Sequence, residues 1–286
     1  MNAAEAYAAR IDAVLEQRTR LRGAAPPADP WAGQWAHSFR ADPRRPLDAN
    51  LEIVASYLVP EDVLIDVGGG AGRLSLPLAL RCREVVDVDG SAAMGVQFKE
   101  SAREAGIENV RFVHGAWPNV DGVQGTAALV ANVTYFVRDI VPFIEKLQQA
   151  APRRVMITVW SSPPPCRNAE LYRLVYGEDE IIAPSYRELL PVLWELGIVP
   201  DVRLLPLIPQ AVRGAPATTR EEALANAATT LANEQWAHWP ASEALLARIR
   251  GAIEPHFKDL FERTAEGFRP RWVRSARELL ITWEPG

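Results

Sequence analysis

The chain has 286 residues, 48% hydrophobic and 23% charged, which excludes a wholly disordered or collagen-like protein and supplies enough apolar residues for a substantial core. Acidic residues outnumber basic ones, 36 to 31, for a formal charge of −5, which disfavours a nonspecific nucleic-acid binder while leaving a local basic patch open. Two cysteines, Cys82 and Cys166, cannot build a disulfide framework, and four scattered histidines lack metal-ligand spacing, so no metal and a reducing, cytoplasmic setting are expected.

Residues 3–22 read as a helix with Ala4, Ala8, Ile11 and Leu15 on its apolar stripe. The Pro-rich stretch APPADP ends it, and WAGQWAHSF at 31–39 follows as a short aromatic segment. A second helix is expected over 47–58, stopped by Pro60. From residue 62 strands and helices alternate. VLIDV (63–67), VVDV (85–88), VRFV (110–113), AALVA (127–131) and VMITVW (155–160) read as strands, and 74–80, 91–105 and 138–149 as the helices between them. Helices at 168–176 and 185–196 and a strand at 202–208 follow, with ELLITW at 278–283 as a last strand. The alternation implies an α/β fold with a mostly parallel sheet covered on both faces. The long insertion between the last two strands reads as helical over 220–234 and 241–265 and is expected to form a cap. The chain divides into an N-terminal helical and aromatic segment (1–46), an α/β core (47–208), a helical cap (209–275) and a terminal strand completing the core (276–286). No run approaches the 18 or so apolar residues of a membrane span, so no membrane partner is expected.

The chemistry concentrates in VLIDVGGGAGRLSLPLA, residues 63–79, where an apolar strand runs into Asp66, then Gly68, Gly69, Gly70 and Gly72, then a helical segment. Glycines permit a tight turn and close backbone approach to a ligand, and a helix start offers free N–H groups. A dinucleotide site uses the same geometry, although the GxGxxG spacing is only partly met. The second element, VVDVDGSAAM at 85–94, puts Asp89 at a strand end 23 residues after Asp66, followed by Gly90. A carboxylate there accepts hydrogen bonds from both hydroxyls of a ribose. Asp87 is the rival, expected on a different side of the strand. Together the two elements imply a nucleoside-containing ligand.

DVGGGAGR at 66–73 and VDVDGSAAM at 86–94, supported by FVHGAWP at 112–118 and LVANVTYFV at 129–137, resemble the class I S-adenosylmethionine-dependent methyltransferases over about residues 47–208. The resemblance implies a Rossmann-like seven-stranded sheet with an antiparallel final strand, and S-adenosyl-L-methionine as cofactor. It implies further that Gly68 and Gly70 border the methionine part of the cofactor and Asp89 its ribose. Asp66, Gly69, Gly90, Ala116, Trp117 and Asn132 complete the expected cofactor site. Where the family often carries an Asp for the adenine amino group, this chain has Ala116. The Trp117 ring offers a stacking face instead, with a core tryptophan as the alternative.

Ligands of such sheets lie beyond the carboxyl ends of the strands. Tyr135, His37 and His238 are the candidate catalytic groups, the histidines because an imidazole is suited to act as a general base near neutral pH. Trp35, Trp160 and Trp236 are the candidate walls of an acceptor pocket, WAGQWAHSF and QWAHW being two similar aromatic segments around a histidine. The expected reaction is methyl transfer to a small or medium organic acceptor at O or N, by in-line attack in a capped pocket that excludes water. The alternatives are a nucleic-acid or protein methyltransferase, a nicotinamide-dependent oxidoreductase, and a noncatalytic cofactor-binding interaction protein. No NPPY-like motif follows the fourth strand, where the sequence reads ANVTYF, and a nucleic-acid partner is therefore not favoured. Monomer and homodimer stay open.

Overall fold

The computed structural model describes residues 1–23, 27–32, 34–163, 166–207, 216–233, 241–272 and 276–285. Its strands are β1 (Val63–Val67), β2 (Glu84–Asp89), β3 (Val110–His114), β4 (Ala127–Ala131), β5 (Arg154–Trp160), β6 (Asp201–Leu204), β7 (Phe261–Thr264), β8 (Gly267–Pro270) and β9 (Glu278–Trp283). Its helices are α1 (Ala3–Arg22), α2 (Gln34–Ser38), α3 (Ala49–Ala55), α4 (Ser75–Ala79), α5 (Ala92–Glu104), α6 (Ile140–Ala150), α7 (Ala169–Tyr176), α8 (Tyr186–Glu195), α9 (Arg220–Asn233), α10 (Glu243–Ile253) and α11 (Phe257–Leu260).

Seven strands form one sheet in the order β3-β2-β1-β4-β5-β9-β6. β1 to β5 pair in parallel, and β9 runs antiparallel to both of its neighbours. This is the Rossmann-like, mostly parallel sheet that the sequence implies. Every residue of β1 is buried, as a strand with helices on both faces requires. Val63, Ile65 and Val67 face one side with α1, α6 and α8, while Leu64 faces the other with α3, α4 and α5. The reversal of direction between the β1 and β4 crossovers opens the crevice at the carboxyl edge where such folds bind ligands.

Several elements depart from expectation. α1 buries Tyr7, Ile11, Val14, Gln17 and Arg18, while Leu15 stays 45% exposed. The larger side chains set the buried stripe, one position away from the alanines. The start of α1 is fixed by a capping box between Asn2 and Glu5, and its end by Gly23 at φ 68°. α3 starts at Ala49, two residues later than expected, because the Asp48 carboxylate caps it, accepting from the N–H groups of Asn50 and Leu51 at 3.0 and 2.9 Å, and it ends at Ala55, before 58. The expected helix over 241–265 ends early: 261–264 is strand β7, hairpinned to β8. Phe261 stacks on Phe257 and meets Trp272 edge-on, so aromatic packing overrides helix propensity here. These residues join α7, α9, α10 and Leu21 of α1 in a separate apolar cluster. Among the described residues no helix is long and apolar enough to cross a membrane, and no group of His, Cys, Asp and Glu is arranged to hold a metal ion.

Candidate functional site at the carboxyl edge of the sheet

β1 delivers its chain into a turn in which Gly68, Gly70 and Gly72 have φ of 73°, 62° and 77°. A side chain is strained at each of these angles. Space is short as well: a Cβ on Gly72 would meet Phe98 at 2.7 Å, and one on Gly68 would run into Val133 from the loop after β4. Asp89, at the end of β2, locks this turn. Its Oδ2 accepts from the N–H of Gly70 at 3.1 Å and its Oδ1 from that of Ser91 at 2.7 Å. Each oxygen keeps a lone pair for a further donor. Burial raises the Asp89 pKa, partly offset by those two N–H groups. His114, the β3 partner of Asp89 in register, sets Nε2 3.0 Å from the carbonyl of Gly90.

Below the turn lies a feature the sequence did not reveal. Asp66 and Asp87 are registered neighbours on β1 and β2, 1% and 0% exposed. Among the described residues, neither carboxylate has a hydrogen-bond partner in good geometry, and the Ser75 hydroxyl at the start of α4 only partly offsets the burial of Asp66. A Cβ on Gly69 would run into Oδ2 of both, and would lie 2.7 Å from Cγ of Asp66. Desolvation pushes the Asp66 carboxyl up to about 7 and holds Asp87 well above the usual carboxylate range, with Asp66 and Asp89 adding repulsion. Asp87 therefore lies on the same face as Asp89, not on a different one, because the two-residue repeat of a strand returns 87 and 89 to one side. Burial keeps both Asp66 and Asp87 from a ligand, so Asp66, expected in the cofactor site, is corrected to a residue that stands beneath the glycine turn.

The far rim of the crevice is built by the loop after β4. Asn132 holds φ 63°, a left-handed conformation that asparagine tolerates. Its N–H donates to the carbonyl of Thr158 at 3.0 Å, and its Oδ1 accepts from the Tyr135 hydroxyl at 3.2 Å. That hydroxyl in turn accepts from the N–H of Trp160 at 2.5 Å. Tyr135 is 1% exposed, and burial pushes its pKa above the ordinary tyrosine value. The expected catalytic role of Tyr135 is therefore corrected: it ties the ends of β4 and β5 together and has no access to a reacting group. Trp160, half-buried at the end of β5, carries the Arg167 guanidinium 4.5 Å from its ring centroid. Opposite it in register stands Glu278 of β9, whose Oε2 accepts from Asn50 Nδ2 at 2.9 Å.

Two more expectations need correction. Trp117 is 3% exposed, donates Nε1–H to the carbonyl of Phe143 at 3.3 Å, and has the Lys146 ammonium 4.9 Å from its ring centroid. It packs against α6, so its ring is no platform for an adenine. Ala116, beside it, is exposed at the start of the turn. His37 does not join Tyr135 and Trp160: α2 packs on α5, and the exposed imidazole sets Nδ1 3.2 Å from Oε1 of Gln97 there. Trp35 stays with this group, 5.9 Å from Phe39 between ring centroids. His238 and Trp236 lie outside the described residues.

Residues the sequence reading missed sit in the segment before α3. Asp29 Oδ2 accepts from the Ser91 hydroxyl at 2.9 Å, and Trp31 meets Phe136 edge-on at 6.0 Å. An isolated acid in a Pro-rich stretch carries no periodic signal, and only the tertiary contact identifies it.

Residues 64–151 match the sequence profile of a family described as a methyltransferase domain. Over 52 residues the chain is 46% identical to the 23S rRNA (uracil(1939)-C(5))-methyltransferase RlmD of Aeromonas salmonicida (strain A449), a stretch covering 18% of this chain and only 12% of that protein. The fold is similar to that of the YcgJ protein from Bacillus subtilis, with a TM-score of 0.52 at 13% identity, covering 82% of this chain and 96% of the other. Geranyl diphosphate C-methyltransferase from Streptomyces coelicolor A3(2), solved with Mg2+, geranyl diphosphate and S-adenosyl-L-homocysteine, gives 0.49 at 19% identity over 91% of this chain and 86% of that one.

Proposed function

We propose that this chain, whose residues 64–151 match a methyltransferase-domain profile, acts as a class I S-adenosylmethionine-dependent methyltransferase and passes the methyl group to a small or medium organic acceptor, at oxygen or nitrogen. The observation that carries the donor site is Asp89. Its two oxygens accept N–H groups from the glycine turn and from Ser91, with lone pairs to spare for two ribose hydroxyls. The residues fit the donor in other respects as well. Left-handed glycines at 68 and 70 let the backbone approach it closely, and Asn132 borders its far side. Bound there, the donor supplies a methyl group on a sulfonium, open to in-line attack by a nucleophile, with a neutral thioether as leaving group.

The acceptor end lies over β4 and β5. Trp160, with the Arg167 guanidinium over its ring and Glu278 opposite it in register, supports that reading with one apolar face and one charge of each sign. Both charges are close enough to act on Tyr135. Glu278, held by Asn50, is the carboxylate suited to take a proton from an O–H or N–H acceptor. Asn132 and Trp160 are held by Tyr135, so donor and acceptor rims keep a fixed spacing, and alignment supplies most of the rate. The net negative charge and the apolar cluster behind α7 favour a small acceptor over a polyanion.

A second reading, a ribosomal RNA acceptor, draws on the short match to the RlmD proteins. The chain spans 12% of the length of that relative, an extent that fits the donor domain alone. Calorimetric titration with S-adenosylhomocysteine and, in parallel, NAD tests the donor. Tritiated methyl transfer from S-adenosylmethionine across a panel of phenols, carboxylic acids, amines and structured RNA tests the acceptor. Affinity for NAD without affinity for S-adenosylhomocysteine refutes the donor assignment. Label appearing only in RNA refutes the small acceptor.

A further inference from the structure

The ends of β2, β1 and β4 stand side by side in the sheet, so the β2 and β4 ends lie about 10 Å apart, twice the strand spacing. The segment before α3 touches both. Asp29 accepts a hydrogen bond from Ser91 in the turn after β2, beside Asp89. Trp31 meets Phe136 in the turn after β4, four residues beyond Asn132. Two residues of chain reach about 7 Å, and side chains at either end supply the rest of the distance. Residues 29–31 must therefore cross over the end of β1. Trp31 packs in one apolar group with Ala71 of the glycine turn and Met94 of α5. The Asp29 carboxylate accepts the N–H of Trp31 at 3.0 Å, which fixes the two side chains to opposite rims.

The rest of the segment rests on α5 through Ala36 and Phe39 of the small apolar group around Met94, and polar contacts fasten its far end. Arg40 pairs with Glu100 at 3.5 Å and with Glu104, both on α5. Arg44 donates to the carbonyl of Ala105 at 2.8 Å, and Arg45 to that of Arg73, one residue past the glycine turn, at 2.8 Å. The polar contacts are individually weak, and the apolar group lies apart from the two clusters that pack the sheet, so the segment can lift without unfolding the core.

We infer that the described residues of 27–46 form a strap over the donor crevice, that Asp29 and Trp31 are its two latches, and that it governs donor entry and release. This rests on the donor reading above. It makes Asp29 and Trp31 positioning residues: Asp29 holds the turn that presents Asp89 to the ribose, and Trp31 shields the middle of the donor from water.

The test times the release of tritiated S-adenosylmethionine, chased with unlabelled donor, from the native protein and from D29A, D29N and W31L. In parallel, trypsin cleavage after Arg40 and Arg44 is followed with and without saturating S-adenosylhomocysteine. Release is expected to quicken about tenfold in D29A, the size of one lost charge-assisted hydrogen bond, less in the near-isosteric D29N, and clearly in W31L. Ligand is expected to slow cleavage in the native protein and to lose that effect in D29A. Thermal melts of the variants separate a lifted strap from a failed fold. Release at the native rate in all three folded variants, or cleavage indifferent to ligand in the native protein, overturns the strap alone. A native protein that binds neither donor nor product overturns the donor reading and the strap with it.

Discussion

Replacing Asp87 with asparagine should change how stability depends on pH more than it changes stability at any one pH. Asp66 and Asp87 are buried side by side without hydrogen-bond partners in good geometry among the described residues, and burial raises both, Asp66 to about 7. The unfolded chain gives up the same protons near pH 4. Above that the native state holds more protons than the unfolded one, so stability falls as pH rises towards 7, and further for as long as Asp87 keeps its proton. Each retained proton contributes a loss of about 1.4 kcal/mol per pH unit. The amide of the Asp87→Asn variant has the same shape as the protonated acid and no proton to lose, so the native curve should fall more steeply than the variant's by about one such slope. Glu180, also raised to about 7 by burial, acts in the same direction, but it is common to both proteins and cancels in the difference. Urea unfolding at pH 5, 6, 7 and 8 reads both curves. Parallel curves would mean that Asp87 is ionised in the native state, and the account of the pair would be wrong.

Other perturbations separate binding from packing. Asp89→Asn leaves the turn close to its native shape but weakens the ribose acceptor, so titration should find S-adenosylhomocysteine bound about tenfold or more weakly; unchanged affinity would move the ribose elsewhere. Trp117→Phe should lower the unfolding free energy by about 1–2 kcal/mol, through lost volume and the lost bond to Phe143, and leave S-adenosylhomocysteine affinity unchanged. A weaker affinity in that variant would restore the ring to the adenine. Tyr135→Phe removes the hydroxyl shared by Asn132 and Trp160 and should cost about 1–3 kcal/mol of stability. Its pH–rate profile should keep its shape with whichever acceptor turns over, and loss of a limb would make the phenol a base after all.

Much of the frame was legible because each signal was local and periodic. VLIDV and AALVA form strands over the expected residues, since short, mostly apolar runs between turn formers have no other stable use in this fold. The glycine turn was legible for the same reason: backbone angles of that kind leave a mark in composition. The pairing of Asp66 with Asp87 was not, because register belongs to two strands that meet only in the folded sheet. The tryptophans were ambiguous for a different reason. A ring at a strand end serves a pocket or a core equally well, and only the Phe143 carbonyl and the Lys146 ammonium decide for Trp117. His37 was misread because proximity in sequence to an aromatic segment says nothing about which helix that segment will rest on, and it rests on α5.

The position of β9 has a bearing on how the protein is made. Among the described residues β6 hydrogen-bonds to β9 alone, and β9 is the last of the seven sheet strands that the ribosome releases. Until Glu278–Trp283 emerge, the outer edge of β5 stands open and β6 has nothing to join. At ordinary elongation rates the stretch from Trp160 to Glu278 takes on the order of 10 s. For that interval the nascent chain presents a buried-type strand with unpaired N–H and C=O groups, the template on which chains stick to one another. Translation stalled inside the 205–277 connection should therefore yield aggregation-prone fragments, whereas a chain that runs past Trp283 covers the β5 edge and brings in β6 in one step.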